Sequence, residues 1–116
     1  MKLNQFELLK TENNKPYLES IKELEFDENG DLYFSLFYML NKYFYYGDLM
    51  NEKSFIIMLD YNEQPLGIYM ISSGNNYSTS FYKRNIAMVL LLSNAEKFIF
   101  CHNHPNNAIE PSDSDL

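Results

Sequence analysis

Residues 96–105 read Glu-Lys-Phe-Ile-Phe-Cys-His-Asn-His-Pro, and the rest of the chain is interpreted from this stretch. Its apolar centre predicts a buried strand over residues 96–102. Because successive side chains on a strand point to opposite faces, His102 and His104 are expected on one face if the strand continues, with Cys101 on the other. Two imidazoles on one face at the end of a strand can share one metal ion.

A polar stretch follows the histidines and contains Pro-Ser-Asp-Ser-Asp at residues 111–115. Asp115 is available as a third ligand, which would leave the fourth position of a tetrahedral zinc ion open to water. Zinc lowers the pKa of such a water to about 7 and so supplies hydroxide at neutral pH. The same residues also fit a helix start, with Ser112 as the N-cap and Asp115 in the first turn. The two interpretations are compatible, since a helix N-terminus can hold its third residue toward a metal.

An aromatic helix is predicted from Asp31, its candidate N-cap, to Gly47 and Asp48. Its apolar positions recur at helical spacing: Leu32, Leu36, Phe37, Leu40 and Phe44. Tyrosine and phenylalanine surround it: Tyr33, Phe34, Phe37, Tyr38, Tyr43, Phe44, Tyr45 and Tyr46. The favoured interpretation is a helix packed on a sheet with its tyrosine hydroxyls reaching water, and the alternative is a self-association surface.

The remaining patterns predict a sheet and a second helix. Apolar runs at residues 54–60 and 66–72, separated by a turn, predict a hairpin. Residues 17–26 fit a strand or a short helix, and the strand is favoured. A helix is predicted over residues 81–94 with Ser80 as its N-cap. The fold class that follows is α/β, a mixed sheet with a helix between the hairpin and the histidine strand.

Composition limits the class of protein. The chain has 116 residues, which suits one compact domain, and a net charge of −7, which argues against bulk binding of nucleic acid. No apolar run is long enough to span a membrane, so no membrane partner is expected. Cys101 is the only cysteine, and its simplest interpretation is a small buried apolar residue in a reducing, cytoplasmic setting.

His102-Asn103-His104-Pro105, followed after six residues by Ser112 and Asp115, resembles the JAMM metalloprotease motif of the JAB/MPN fold. The closer resemblance is to bacterial RadC-like JAB domains. It extends over residues 52–116, through the predicted hairpin, the Ile-Ser-Ser-Gly strand exit and an arginine, Arg84, that opens the central helix in the family.

The resemblance implies a JAB/MPN-like (cytidine-deaminase-like) α/β (α+β) fold, a mixed sheet flanked by helices. It divides the chain into an N-terminal segment, 1–48, with the aromatic helix, and a JAB domain over 49–116 whose C-terminal part is missing. Helices and strands that follow the motif in the family are absent after Leu116, so the chain is expected to be truncated or to complete its site with a partner. Self-association through an exposed sheet edge or the aromatic helix is therefore expected.

The resemblance also implies residue roles. His102, His104 and Asp115 would bind zinc, and the catalytic Ser112 would help to stabilise the oxyanion formed when zinc-bound water attacks an amide carbonyl. JAMM-type relatives cleave peptide or isopeptide bonds, and RadC-like proteins carry a DNA-repair label. The implied function is a zinc-dependent metallopeptidase or isopeptidase with a peptide or isopeptide substrate.

One departure from the family bears on activity. JAMM enzymes use a glutamate on an early strand as general base, and the alignment places that position near residues 68–69, where Ile68 and Tyr69 stand. Glu63 and Glu52 are the nearest carboxylates. A general base typically contributes about 10²–10⁴-fold to the rate. Two alternatives to a full hydrolase therefore stay open: a catalytically weak or inactive JAB-fold binding module, and a DNA-repair-associated protein.

Overall fold

The computed structural model describes residues 1–44, 53–73 and 79–102. Five strands and two helices follow one another in chain order: β1 (Lys2–Lys10), β2 (Pro16–Glu25), α1 (Leu32–Phe44), β3 (Lys53–Leu59), β4 (Pro65–Ser73), α2 (Thr79–Ser93) and β5 (Lys97–His102).

The strands form one mixed sheet in the order β2-β1-β4-β3-β5. β1 pairs with β2, β4 with β3, and β3 with β5 in antiparallel fashion, whereas β1 runs parallel to β4 with Phe6 opposite Tyr69. This architecture confirms the expected mixed sheet flanked by helices and is consistent with a JAB-like α+β fold.

Each face of the sheet is covered by one helix. On one face, Leu36, Met39 and Leu40 of α1 pack against the sheet. The sheet residues that they meet include Phe55, Ile57, Ile68 and Ile99, all buried. On the other face, Val89 of α2 packs against Ile56 and Met58 of β3. Because Phe98 and Phe100 also belong to this second cluster, the face that α2 covers includes alternate residues of β5.

Local patterns predicted most of the elements. The hairpin is present as β3 and β4, and the segment predicted at 17–26 is a strand as favoured, β2, which ends at Glu25. The expectation that Ser80 caps the second helix is wrong, because α2 already begins at Thr79. The predicted end of the first helix, at 47–48, lies outside the described residues.

The aromatic helix α1 begins as predicted. The Asp31 side chain accepts a hydrogen bond from the Phe34 N–H at 3.0 Å, which is the N-cap geometry. The inward face of the helix is buried, whereas Tyr33, Phe34 and Tyr38 are 61%, 68% and 63% exposed. The packed-helix interpretation therefore holds for one face, and the opposite face presents three aromatic rings to solvent.

Candidate metal-binding site

His102 is the last residue of β5 and lies directly opposite Ser54 in the antiparallel pairing with β3. Its ring packs against that of Phe100, with centroids 5.6 Å apart and planes tilted by 47°. Since Phe100 belongs to the cluster under α2, His102 lies on the α2 face of the sheet. Its Nδ1 atom is buried, so the ring is held by its surroundings at the end of the strand.

Cys101 lies on the opposite face and packs against the core beneath α1. Burial raises the pKa of its thiol to about 12, so the thiolate that would act as ligand or nucleophile is disfavoured. Cys101 is half-buried and packs against the core as an apolar residue, in line with the expectation. The alternation of Cys101 and His102 across the two faces follows from the strand geometry, as predicted.

Three predicted site residues, His104, Ser112 and Asp115, lie outside the described residues, and their roles stay predictions. Within residues 1–44, 53–73 and 79–102 no group of three histidine, cysteine, aspartate or glutamate side chains could hold a metal ion. The structure thus positions one of the three proposed zinc ligands, His102.

The two positions assigned to the family glutamate lie on different faces of the sheet, Tyr69 on the α2 face opposite Ile56 and Ile68 on the α1 face. Ile68 is fully buried and stands opposite Ile57, three residues along β3 from Ser54. At a rise of about 3.3 Å per residue, that position is about 10 Å from the level of His102. A carboxylate there would be buried in the apolar core beneath α1 and remote from the histidine.

Glu63 is also remote from His102. It follows β3 in the hairpin turn, with a φ of 64°, and its carboxylate forms an ion pair with Lys97 at 3.2 Å. Because Lys97 is the first residue of β5 and His102 the last, Glu63 lies at the opposite end of the strand from the histidine. Glu63 therefore cannot serve as a base at the histidine site.

The register also identifies a neighbour that sequence reasoning missed. Ser54 is 7% exposed and directly opposite His102, and directly opposed residues of an antiparallel pair share a face. Glu52 precedes Ser54 by two residues in the sequence. Glu52 itself lies outside the described residues. No local signal in the sequence shows which strand pairs with β5, so only the folded sheet identifies Ser54 as the neighbour of His102.

Arg84 lies in the second turn of α2 and is exposed, close to the start of the central helix as the resemblance implied.

Neither of the described helices is long and apolar enough to cross a membrane.

Comparison with known proteins identifies relatives of this chain. A UPF0758 protein of Alteromonas mediterranea is 32% identical over 69 residues, which cover 60% of this chain and 31% of the relative. A UPF0758 protein of Pseudomonas entomophila is 37% identical over 60 residues, covering 52% of this chain and 26% of the relative. A third UPF0758 protein, from Thermosynechococcus vestitus, is 33% identical over 72 residues, which cover 60% of this chain and 29% of the relative. The chain thus spans less than a third of the length of these relatives.

No solved structure matches the chain significantly. The model of the RadC-like JAB domain family matches residues 35–116, a range that holds both histidines, Ser112 and Asp115 and that reaches upstream into α1. Since this match covers well over half of the sequence, the chain belongs to the RadC-like JAB domain family.

Proposed function

We propose that this chain is a zinc-dependent hydrolase of amide bonds, of the metallopeptidase or isopeptidase type. The observation that carries the proposal is the placement of His102, at the end of β5 and on the α2 face, with its Nδ1 atom buried. An imidazole held by packing at a strand end suits a ligand whose direction must be fixed before the metal binds.

The donor set suits zinc. His102 and His104 would supply imidazole nitrogens and Asp115 a carboxylate oxygen, which together leave one position open to water. When bound there, zinc would lower the pKa of that water to about 7. Ser112 would orient its hydroxyl toward the oxygen of the scissile carbonyl and stabilise the charge that develops on it.

Glu52 is the carboxylate we assign as the general base. It lies two residues before Ser54 in the sequence, and Ser54 stands directly opposite His102. Ile68 is buried beneath α1 and Glu63 lies at the other end of β5, whereas Tyr69 shares the α2 face but carries no carboxylate. A glutamate within hydrogen-bond reach of a water can accept its proton and pass it on to the leaving amine.

The partners and the location are proposed from separate features of the chain. The substrate is a peptide or isopeptide, and the net charge of −7 disfavours a nucleic acid. Self-association would use the outer edge of β5, an edge of the described sheet, or the exposed rings of α1. A cytoplasmic location stays a prediction that rests on the single cysteine.

Metal content is the decisive measurement. Purified protein is expected to hold one equivalent of zinc, and His102→Ala to lose it, because a site with three protein ligands does not survive on two. Cys101→Ala is the matched control, since it truncates the adjacent residue on the other face and should keep the metal. Zinc that survives His102→Ala would contradict the proposal.

Activity separates the hydrolase from the binding module. A peptide library incubated with the zinc-loaded protein should yield cleavage products that a chelator abolishes and that added zinc restores. Stoichiometric zinc without any turnover would favour the catalytically inactive binding module.

A further inference from the structure

A groove of about 610 Å³ lies between α2 and the outer end of the β1–β2 hairpin. Its lining combines apolar side chains with amides and two cations, among them Leu8, Lys10, Asn14, Arg84, Asn85 and Met88. Leu8 belongs to the cluster under α2, so the groove opens on the α2 face of the sheet, the face on which His102 lies.

The two cations of this groove are not neutralised within the described part of the chain. Within the described residues, Lys2 pairs with Glu25 and Lys97 with Glu63, whereas neither Lys10 nor Arg84 takes part in an ion pair. Both side chains are exposed. In a chain of net charge −7, a groove whose two cations form no ion pair with the described residues is a local exception to the overall charge.

The groove and His102 lie at the same end of the sheet. β1 runs parallel to β4 with Phe6 opposite Tyr69, so continuing that register brings Lys10 level with Ser73. Ser72 is opposite Ser54, which is opposite His102. Since β4 and β3 separate β1 from β5, three strand spacings of about 4.8 Å place Lys10 about 14 Å from His102 across the sheet.

From this placement we propose that the groove binds an acidic segment of a peptide substrate, with Lys10 and Arg84 holding its carboxylates. This inference rests on the proposed function, because it makes the groove the specificity site of the same metal centre. An extended peptide advances about 3.3 Å per residue, so a carboxylate in the groove belongs to a residue about four positions from the bond at the metal. The apolar floor contributed by Leu8 and Met88 contacts the aliphatic part of that segment.

Binding tests the groove without any need for catalysis. The probe is a fluorescein-labelled glycine–serine peptide with two adjacent glutamates, and its glutamine counterpart is the uncharged control, both titrated by fluorescence anisotropy with a chelator present. The glutamate peptide should bind more tightly, and Arg84→Glu and Lys10→Glu should each raise its Kd at least about 10-fold.

Lys83→Glu and Lys15→Glu are the matched controls. Lys83 is the exposed neighbour of Arg84 on α2, and Lys15 lies in the β1–β2 turn, yet neither belongs to the groove lining. Each alters the net charge as much as the groove variants do, but each should change Kd less than about twofold, because its side chain is not part of the groove lining. Equal losses in all four variants, or no preference for the glutamate peptide, would overturn the proposal.

Two further outcomes identify the ligand class and separate this inference from the proposed function. A single-stranded oligonucleotide that displaces the glutamate peptide at equal charge would assign the groove to nucleic acid and overturn the peptide proposal. In any peptide that the zinc-loaded protein cleaves, a glutamate about four residues from the scissile bond should lower KM, and Arg84→Glu should abolish that advantage. Binding without cleavage would contradict the proposed hydrolase alone, and cleavage without a glutamate preference would contradict the groove alone.

Discussion

Ser54 and His102 stand directly opposite each other where β3 begins and β5 ends. The pairing places the histidine beside the first residues of β3, and Glu52 is the carboxylate that precedes Ser54 by two positions in the sequence. A site composed of the end of one strand and the beginning of its antiparallel neighbour needs both strands in register, because a slip of one residue would turn His102 to the α1 face.

Glu52→Gln tests the base that this register suggests. Glutamine keeps the shape of the side chain but cannot accept a proton, so turnover should fall by about 10²–10⁴-fold while zinc content stays at one equivalent. Glu63→Gln is the control, since Glu63 pairs with Lys97 at the other end of β5. The assignment fails if Glu52→Gln turns over at the wild-type rate, or if Glu63→Gln is equally impaired.

Gly67→Ala should destabilise the sheet. A Cβ at this position would lie 2.8 Å from Cδ2 of Phe6 and 3.1 Å from the backbone oxygen of Asn4, so the ring and the strand would have to move. Overpacking of this kind costs about 1–3 kcal/mol, which urea denaturation can measure.

Two variants control this measurement. Gly30→Ala should lower the free energy of unfolding by less, because its new Cβ would meet only the side-chain atoms of Ser35 and Asp27, at 3.1 and 3.3 Å. Combining Gly67→Ala with Phe6→Leu should recover part of the loss, since the smaller side chain removes the clash. If the losses of stability in the two single variants simply add up in the double variant, the clash of the new Cβ is not with Phe6.

Asp31→Ala should lower the stability of the protein by about 1 kcal/mol, the usual cost of removing an N-cap. Its side chain accepts the Phe34 N–H at 3.0 Å, and that donor would lose its partner. Asp31→Asn keeps an acceptor oxygen and should lose much less stability. Equal losses in the two variants, measured by thermal unfolding, would indicate that charge rather than capping matters at this position.

Phe34→Glu tests self-association through the aromatic helix. Phe34 is 68% exposed and its neighbours Tyr33 and Tyr38 are 61% and 63% exposed, so a charge at its centre would disrupt any interface formed there. Light scattering after size exclusion should show a lower mass for Phe34→Glu than for the wild type. Leu91→Glu, at a 76% exposed position on α2, should leave the mass unchanged. A monomeric wild-type protein would contradict the prediction.

The sequence by itself determined the elements whose signals are local. The turn between β3 and β4, the Asp31 cap and the alternation that separates Cys101 from His102 each depend on residues a few positions apart. Such signals act through backbone geometry and period, which are the same wherever the segment lies in the fold. The motif at His102 and His104 was recognisable for the same reason.

Only the tertiary structure decided which strands are neighbours. β1 was not predicted, and it lies between β2 and β4, parallel to a strand about 60 residues further along the chain. The choice of partner depends on burying both faces of the whole sheet, and no local period encodes it. For this reason the neighbours of His102, and the groove that brings Lys10 of β1 and Arg84 of α2 together, could be found only in the folded chain.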